Sequence, residues 1–283
     1  MIEWRYGDQL DWRLALVGLS EDVSRYAEFG FTPLRMASSA LLFRERYGMP
    51  FAPQPKPLSA SSRPCRAVIA ARQQWPGSEW RVFRALQLAN FNTSLVLGDD
   101  EQLREALDAV PGVDADDIVA LIDSPDVLAA YAQDKAETRT AAGSPTELQG
   151  KAGKSDGAVR YTAPSLLFET SDGRRLEAGG FQPVEAYDVV IVNLDPTLER
   201  KAPPEDPHAL LEYFDFGLTT QEVAALMTAG NDLPDRQAAE SALLALVDEG
   251  RAERHALGDD ALWMPADRIA GDRLAGAAAA SGD

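Results

Sequence analysis

"GAVRYTAPSLLFETSDGRRLEAGGF", residues 157–181, places a proline where a strand begins. Pro164 directly precedes Ser165, Leu166, Leu167 and Phe168, a run short and apolar enough for a buried strand and too short for a helix. Proline has no N–H to give a ladder. It is therefore expected at the first residue of a strand, at an edge, or where an X-Pro bond can be cis beside a pocket. Ser171-Asp172-Gly173 then turns the chain and Arg174 to Phe181 returns it, so the stretch reads as a β-hairpin. Gly179-Gly180, near its end, reads as a bulge rather than a ligand site.

Downstream, Pro183 opens a further helix, PVEAYDVVIVNL, with proline in its first turn. The proline-rich residues 201–207 form a linker and the best domain boundary. Beyond it, Leu218 to Val223 starts a threonine-capped helix. Asp235 to Glu249 is a second helix, and Gly250 fits its C-cap position. Arg251 to Arg254, a Gly258-Asp259-Asp260 turn and Ala261 to Met264 complete a small hairpin. Helix, helix, hairpin resembles a winged helix, expected over residues 208–267, and the Ala/Gly-rich residues 268–283 are expected to be a disordered tail.

Upstream, Glu79 to Tyr131 is helical in pattern throughout, in stripes such as Val82, Leu86, Ala89 and Leu103, Leu107, Val110. Asp114 to Asp117 supply acid at one helix start, and Ser124-Pro125 restarts another. Ser61 and Ser62 ahead of Arg63-Pro64 read as a serine cap with proline in the first turn, so Cys65 to Gln74 is a helix and Cys65 lies in its opening turn. Together residues 62–157 form an all-helical insertion of about four helices, with residues 136–157 a polar helix end running into a loop. Residues 31–61, interrupted by Pro33, Pro50, Pro53, Pro55 and Pro57, are expected to be irregular. Leu10 to Leu19, LDWRLALVGL, alternates and then turns apolar, which reads as a strand of a buried sheet.

Charge and cysteine content remove several classes of function. With 27 Lys and Arg against 45 Asp and Glu, the net charge of −18 repels a nucleic-acid backbone. Residues 205–267 alone hold three arginines, no lysine and 14 acidic residues, so the winged-helix-like segment is expected not to bind DNA. No apolar run is long enough to span a membrane and no signal-peptide pattern opens the chain, so a cytoplasmic protein without membrane partners is expected. A single cysteine, Cys65, allows no intramolecular disulfide and no multi-cysteine zinc site; no metal or cofactor is expected. His208 and His255 read as surface residues, and Asp99-Asp100 and Asp116-Asp117 as solvated loop carboxylates rather than an acid-base pair.

The order strand, helical insertion, X-Pro at a strand start, hairpin and closing helix resembles the thioredoxin-fold DsbA family. It is most similar to the actinobacterial cytoplasmic DsbA-like proteins that carry an extra C-terminal region. The likeness covers residues 1–200 and rests on "SSRPCRAVIAAR", "RALQLANF" and above all "RYTAPSLLFE" with "GGFQPVEAYD". It implies an α/β thioredoxin-like fold with the helical insertion, followed by the winged-helix-like domain.

The resemblance also implies that Ala163-Pro164 is cis and that Thr162, Ala163 and Pro164 shape a substrate groove beside a reactive sulfur. The family's reactive group is a CxxC or a variant at a helix start, where N–H groups and the macrodipole favour the thiolate. This sequence has no such motif and hence no catalytic residue of that kind. MIEWRYGDQLDWRL resembles the end of the family's first helix and its second strand, which would put the first strand and the dithiol before Met1. Leu10 to Leu19 and Ser165 to Phe168 would then stand unpaired around a gap.

Cys65 remains the one thiol that could react, against its reading as a structural, half-buried cysteine. The resemblance thus implies a thiol-disulfide oxidoreductase or isomerase relative, with protein thiol and disulfide clients as partners, whose chain lacks the dithiol. The alternatives are a non-catalytic protein-binding adaptor, or a relative of glutathione-dependent isomerases and kappa-class transferases.

Overall fold

A computed structural model describes residues 1–52, 55–230 and 232–266; the tail expected over 268–283 lies outside the described residues. The elements run α1 (Ile2–Tyr6), α2 (Ser24–Glu28), α3 (Pro33–Tyr47), α4 (Ser62–Gln74), α5 (Glu79–Asn92), α6 (Asp100–Leu107), α7 (Ala115–Leu121), α8 (Pro125–Thr138), α9 (Pro145–Leu148), β1 (Ala152–Gly153), β2 (Arg160–Tyr161), β3 (Ser165–Glu169), β4 (Arg175–Gly179) and α10 (Val184–Leu194). After the linker come α11 (His208–Tyr213), β5 (Leu218–Thr219), α12 (Thr220–Met227), α13 (Arg236–Asp248), β6 (Ala252–Leu257) and β7 (Asp260–Pro265). Among the described residues no helix is long and apolar enough to cross a membrane.

Three hydrophobic cores organise these elements. The largest lies among α4 to α8, where Val68, Ile69, Leu103, Leu107, Ile118 and Ile122 are almost wholly buried. Side-chain caps define its helices: Asp99 accepts from Gln102 N–H, Asp114 from Asp117 N–H, and Ser124 from Val127 N–H. A second core joins the hairpin to α10 through Ala178, Tyr187 and Ile191. The third fills the C-terminal unit around Leu210, Leu211, Leu243 and Trp263, in a three-stranded sheet ordered β5-β7-β6. Helix α1 joins the last two: Ile2 and Tyr6 enter the hairpin core, while Trp4 enters the C-terminal one.

The hairpin forms as its sequence dictates. Ser165 faces Gly179 and Glu169 faces Arg175, and Gly173 takes the positive φ of 86° that its turn requires. The Ala163-Pro164 peptide is cis. Gly179 ends β4 and Gly180 has φ 70°, with no bulge between Ser165 and Glu169, whose partners run in unbroken register.

Two expectations fail in the N-terminal third. Residues 31–61 are not irregular throughout, because α3 runs for 15 residues. Pro33 sits in its first turn behind a Thr32 cap on Arg35 N–H, and Gly48, at φ 65°, closes it. The clustered prolines follow the helix instead of preventing it.

Leu10 to Leu19 is also not a strand. Among the described residues it pairs with no other segment, and β3 pairs with β4 alone, so the two stay apart as expected of them. Side chains take the place of the ladder. Asp134 Oδ2 accepts from Leu16 N–H at 3.0 Å, Arg72 donates to Leu14 C=O at 2.5 Å, and Arg139 donates to the carbonyls of Val17 and Gly18 at 2.8 and 3.1 Å. The polar helix end expected at the start of residues 136–157 is the end of α8, whereas the loop expected after it contains α9 and β1.

The segment's tightest point is Gly18, at φ 56°, where an added Cβ would lie 2.1 Å from Tyr131 Oη. Gly143 has a similar φ of 75° but nothing within 4 Å. Gly18→Ala is therefore expected to cost at least about 2 kcal/mol by urea denaturation, backbone strain plus the displaced tyrosine, and Gly143→Ala only about 1 kcal/mol, the strain alone.

Candidate functional site

The sequence directs attention to Thr162, Ala163, Pro164 and Cys65, and the structure separates them into two places. The first three form the turn into β3. Thr162 Oγ1 donates to Lys151 C=O at 2.6 Å, and Ser165 Oγ, itself donating to Thr162 C=O, accepts from Gly180 N–H at 3.0 Å. These bonds hold the turn against the end of β4, while Ala163 and Pro164 stay exposed. The neighbouring Phe181 stacks on Tyr47 of α3 with ring centroids 5.5 Å apart.

Cys65 belongs to the helical part. It sits on α4, as expected, although Ser61 does not cap that helix; its hydroxyl accepts from Ser20 N–H at 3.0 Å instead. Burial pushes the Cys65 thiol up to about 11, against a weaker downward pull from Gly18 N–H. Beside it, Tyr131 donates to Glu21 at 2.9 Å and is raised well above its ordinary value, first by burial. A thiol held neutral in this way is a poor nucleophile.

Cys65 also lines a cavity of about 350 Å³, and none of Thr162, Ala163 or Pro164 does. The walls are Leu16 and Leu19 of the extended segment, Met36, Ala37 and Ala40 of α3, Phe51 and Leu58 of the following loop, Val68 of α4, and Phe83, Leu86 and Phe91 of α5. Reading residues 31–61 as irregular hid this site. The signals for α3 were present: Thr32-Pro33 at one end, Gly48 at the other, and Met36, Ala40, Phe43 and Tyr47 at helical spacing.

Among the described residues, Lys56 is the only charged one on those walls. Its Nζ donates to the carbonyls of Asn90, Leu95 and Thr93 at 2.6, 2.7 and 3.4 Å, closing the C-terminus of α5. Burial lowers its pKa to about 8.

The carboxylates read as solvated stay so. Asp99 caps α6, while Asp100 pairs with Arg63 and Asp116 with Arg104. No group of three or more His, Cys, Asp or Glu among the described residues could hold a metal ion. His255 is exposed, whereas His208 is half-buried beside Glu212.

Residues 35–163 match the family model of the DSBA-like thioredoxin domain. That part of the chain is similar to a DsbA-like thioredoxin domain. The matched stretch runs from α3 to Ala163, so it contains the α4–α9 helical part and stops at the residue before Pro164. No curated protein matches the chain.

Cys65 lies within the matched stretch, and its surroundings set its chemistry. The neutral thiol is favoured by the fold, so its contribution to stability is fully present below the ordinary thiol value of 9.0 and is lost as pH rises toward about 11. At neutral pH, Cys65 of the folded protein is expected to react with 5,5′-dithiobis-(2-nitrobenzoate) roughly 100-fold more slowly than free cysteine. A folded-state rate equal to that of free cysteine contradicts the assignment.

Proposed function

We propose that residues 1–283 act as a relative of the DsbA thiol-disulfide oxidoreductases that binds protein clients without cycling a disulfide on its own sulfur. The observation that carries this reading is the single cysteine, whose thiol is held up to about 11 in the helical part, away from the Thr162-Ala163-Pro164 turn. Disulfide exchange needs a thiolate to attack and a second sulfur to resolve the mixed disulfide. Cys65 supplies neither within this sequence.

Two features favour client binding. Ala163 and Pro164 are exposed at the mouth of the hairpin, and β3 is hydrogen-bonded to a neighbour on one edge only, with Leu167 49% exposed. A strand with a free edge accepts an extended peptide by main-chain hydrogen bonds.

The C-terminal unit reads as a winged-helix-like domain used for packing and not for nucleic acid. Its α13 offers one cation, Arg236, which is already engaged by Asp260 at 3.0 Å and by Gly48 C=O at 3.0 Å. It contacts the helical part through Arg44 with Asp259 of the β6–β7 turn and Arg84 with Glu222 of α12.

In an insulin-reduction assay, the 283-residue protein is expected to give no turnover above buffer, and Cys65→Ser is expected to match it. Turnover that disappears in Cys65→Ser contradicts the reading.

A further inference from the structure

We propose that the cavity between α3 and the α4–α5 face binds a monocarboxylate with an apolar body, its carboxylate on Lys56 Nζ and its aliphatic or aromatic part among Leu16, Met36, Ala40, Val68 and Leu86. The volume of about 350 Å³ falls in the range of small-molecule pockets, about 300–1,000 Å³. The walls are mainly aliphatic and aromatic, and no Asp or Glu stands among them.

Charge decides the head group. The chain carries 45 acidic residues against 27 basic ones, yet among the described residues Lys56 has no carboxylate within ion-pairing distance. Lys135, by contrast, meets both Glu21 and Asp156. The other titratable groups on the cavity wall are Tyr26 and Cys65, and burial raises both, so each is neutral near pH 7. The cavity is therefore apolar with one positive charge, which meets backbone carbonyls at the end of α5 and, among the described residues, no carboxylate.

Lys56 also has a donor to give. Two of its bonds to the end of α5 are short, at 2.6 and 2.7 Å, and the third, to Thr93 C=O, is 3.4 Å long. A carboxylate oxygen replaces that third bond with a shorter, charge-assisted one. It also reverses the burial cost that lowers the ammonium's pKa. A neutral ligand does neither.

Isothermal titration calorimetry near pH 7 and physiological salt, with decanoate and decanol below their aggregation limits, tests the assignment. The wild-type protein is expected to bind decanoate at least about tenfold more tightly than decanol. Lys56→Met keeps an unbranched side chain and removes the charge, and is expected to bring decanoate down to the decanol level. Ala37→Phe narrows the wall and is expected to weaken both ligands.

Absence of binding by either ligand overturns the site, and so does an Ala37→Phe protein that binds as wild type does. Equal affinity for the two ligands in the wild type overturns the carboxylate head group. Should Lys56→Met fail to fold for want of its bonds to α5, the wild-type comparison decides the matter alone.

Discussion

The buried carboxylate of Asp134 does for this chain what a neighbouring strand does in a sheet. With its side chain 3% exposed, it accepts from Leu16 N–H at 3.0 Å and pairs with Arg13 at 2.9 Å and Arg72 at 3.3 Å. Arg72 passes the connection on to Leu14 C=O, and Arg139 takes the carbonyls of Val17 and Gly18. Extended backbone that is buried must find partners for its N–H and C=O groups. Here those partners come from the side chains of α4 and α8 and the residue after α8. Everything near the segment follows from this arrangement: Gly18 is pressed onto Tyr131, Cys65 lies below it, and Leu16 and Leu19 form one wall of the cavity.

The rest of the molecule is joined to this frame at its ends. Trp4 of α1 sits in the C-terminal core, donates to Ala202 C=O at 3.0 Å and has its ring centroid 3.5 Å from Lys201 Nζ, while Tyr6, two residues on, donates to Asp188 of α10. Five residues thereby connect the hairpin core to the C-terminal one. The turn between β6 and β7 reaches the loop after α3: Asp259 accepts from Phe51 N–H at 3.0 Å and pairs with Arg44 at 2.7 Å. Phe51 is also a cavity wall, so the C-terminal unit helps hold the cavity's shape.

Much of this was legible in the sequence, for local reasons. The hairpin is specified by its turn residues, the helix starts at Asp114, Ser124, Thr219 and Asp235 by caps, and the end of α13 by Gly250, with φ 69°. Each signal lies within a few residues of the element it governs. Helix α3 was missed because five prolines in residues 31–61 outweighed one good cap, although Pro33 is a helix starter and the others fall after Gly48. Leu10 to Leu19 was misread because alternation reports burial of an extended segment and says nothing of what satisfies its backbone. The partner of Leu16 is 118 residues away. Thr162, Ala163 and Pro164 were located by resemblance, whereas the cavity and Lys56 depend on packing between α3 and α5 that no short motif encodes.

The most direct test of this account is the unfolding free energy of Asp134→Ala, measured by urea denaturation. Removing one member of a buried, multiply bonded ion pair typically costs about 3–5 kcal/mol, because the remaining charge and the freed backbone groups stay buried. A loss of about 3 kcal/mol or more is expected, together with loss of protection from hydrogen exchange at Leu16 N–H. A loss below about 1 kcal/mol, with Leu16 still protected, would show that the extended segment is held by something other than Asp134.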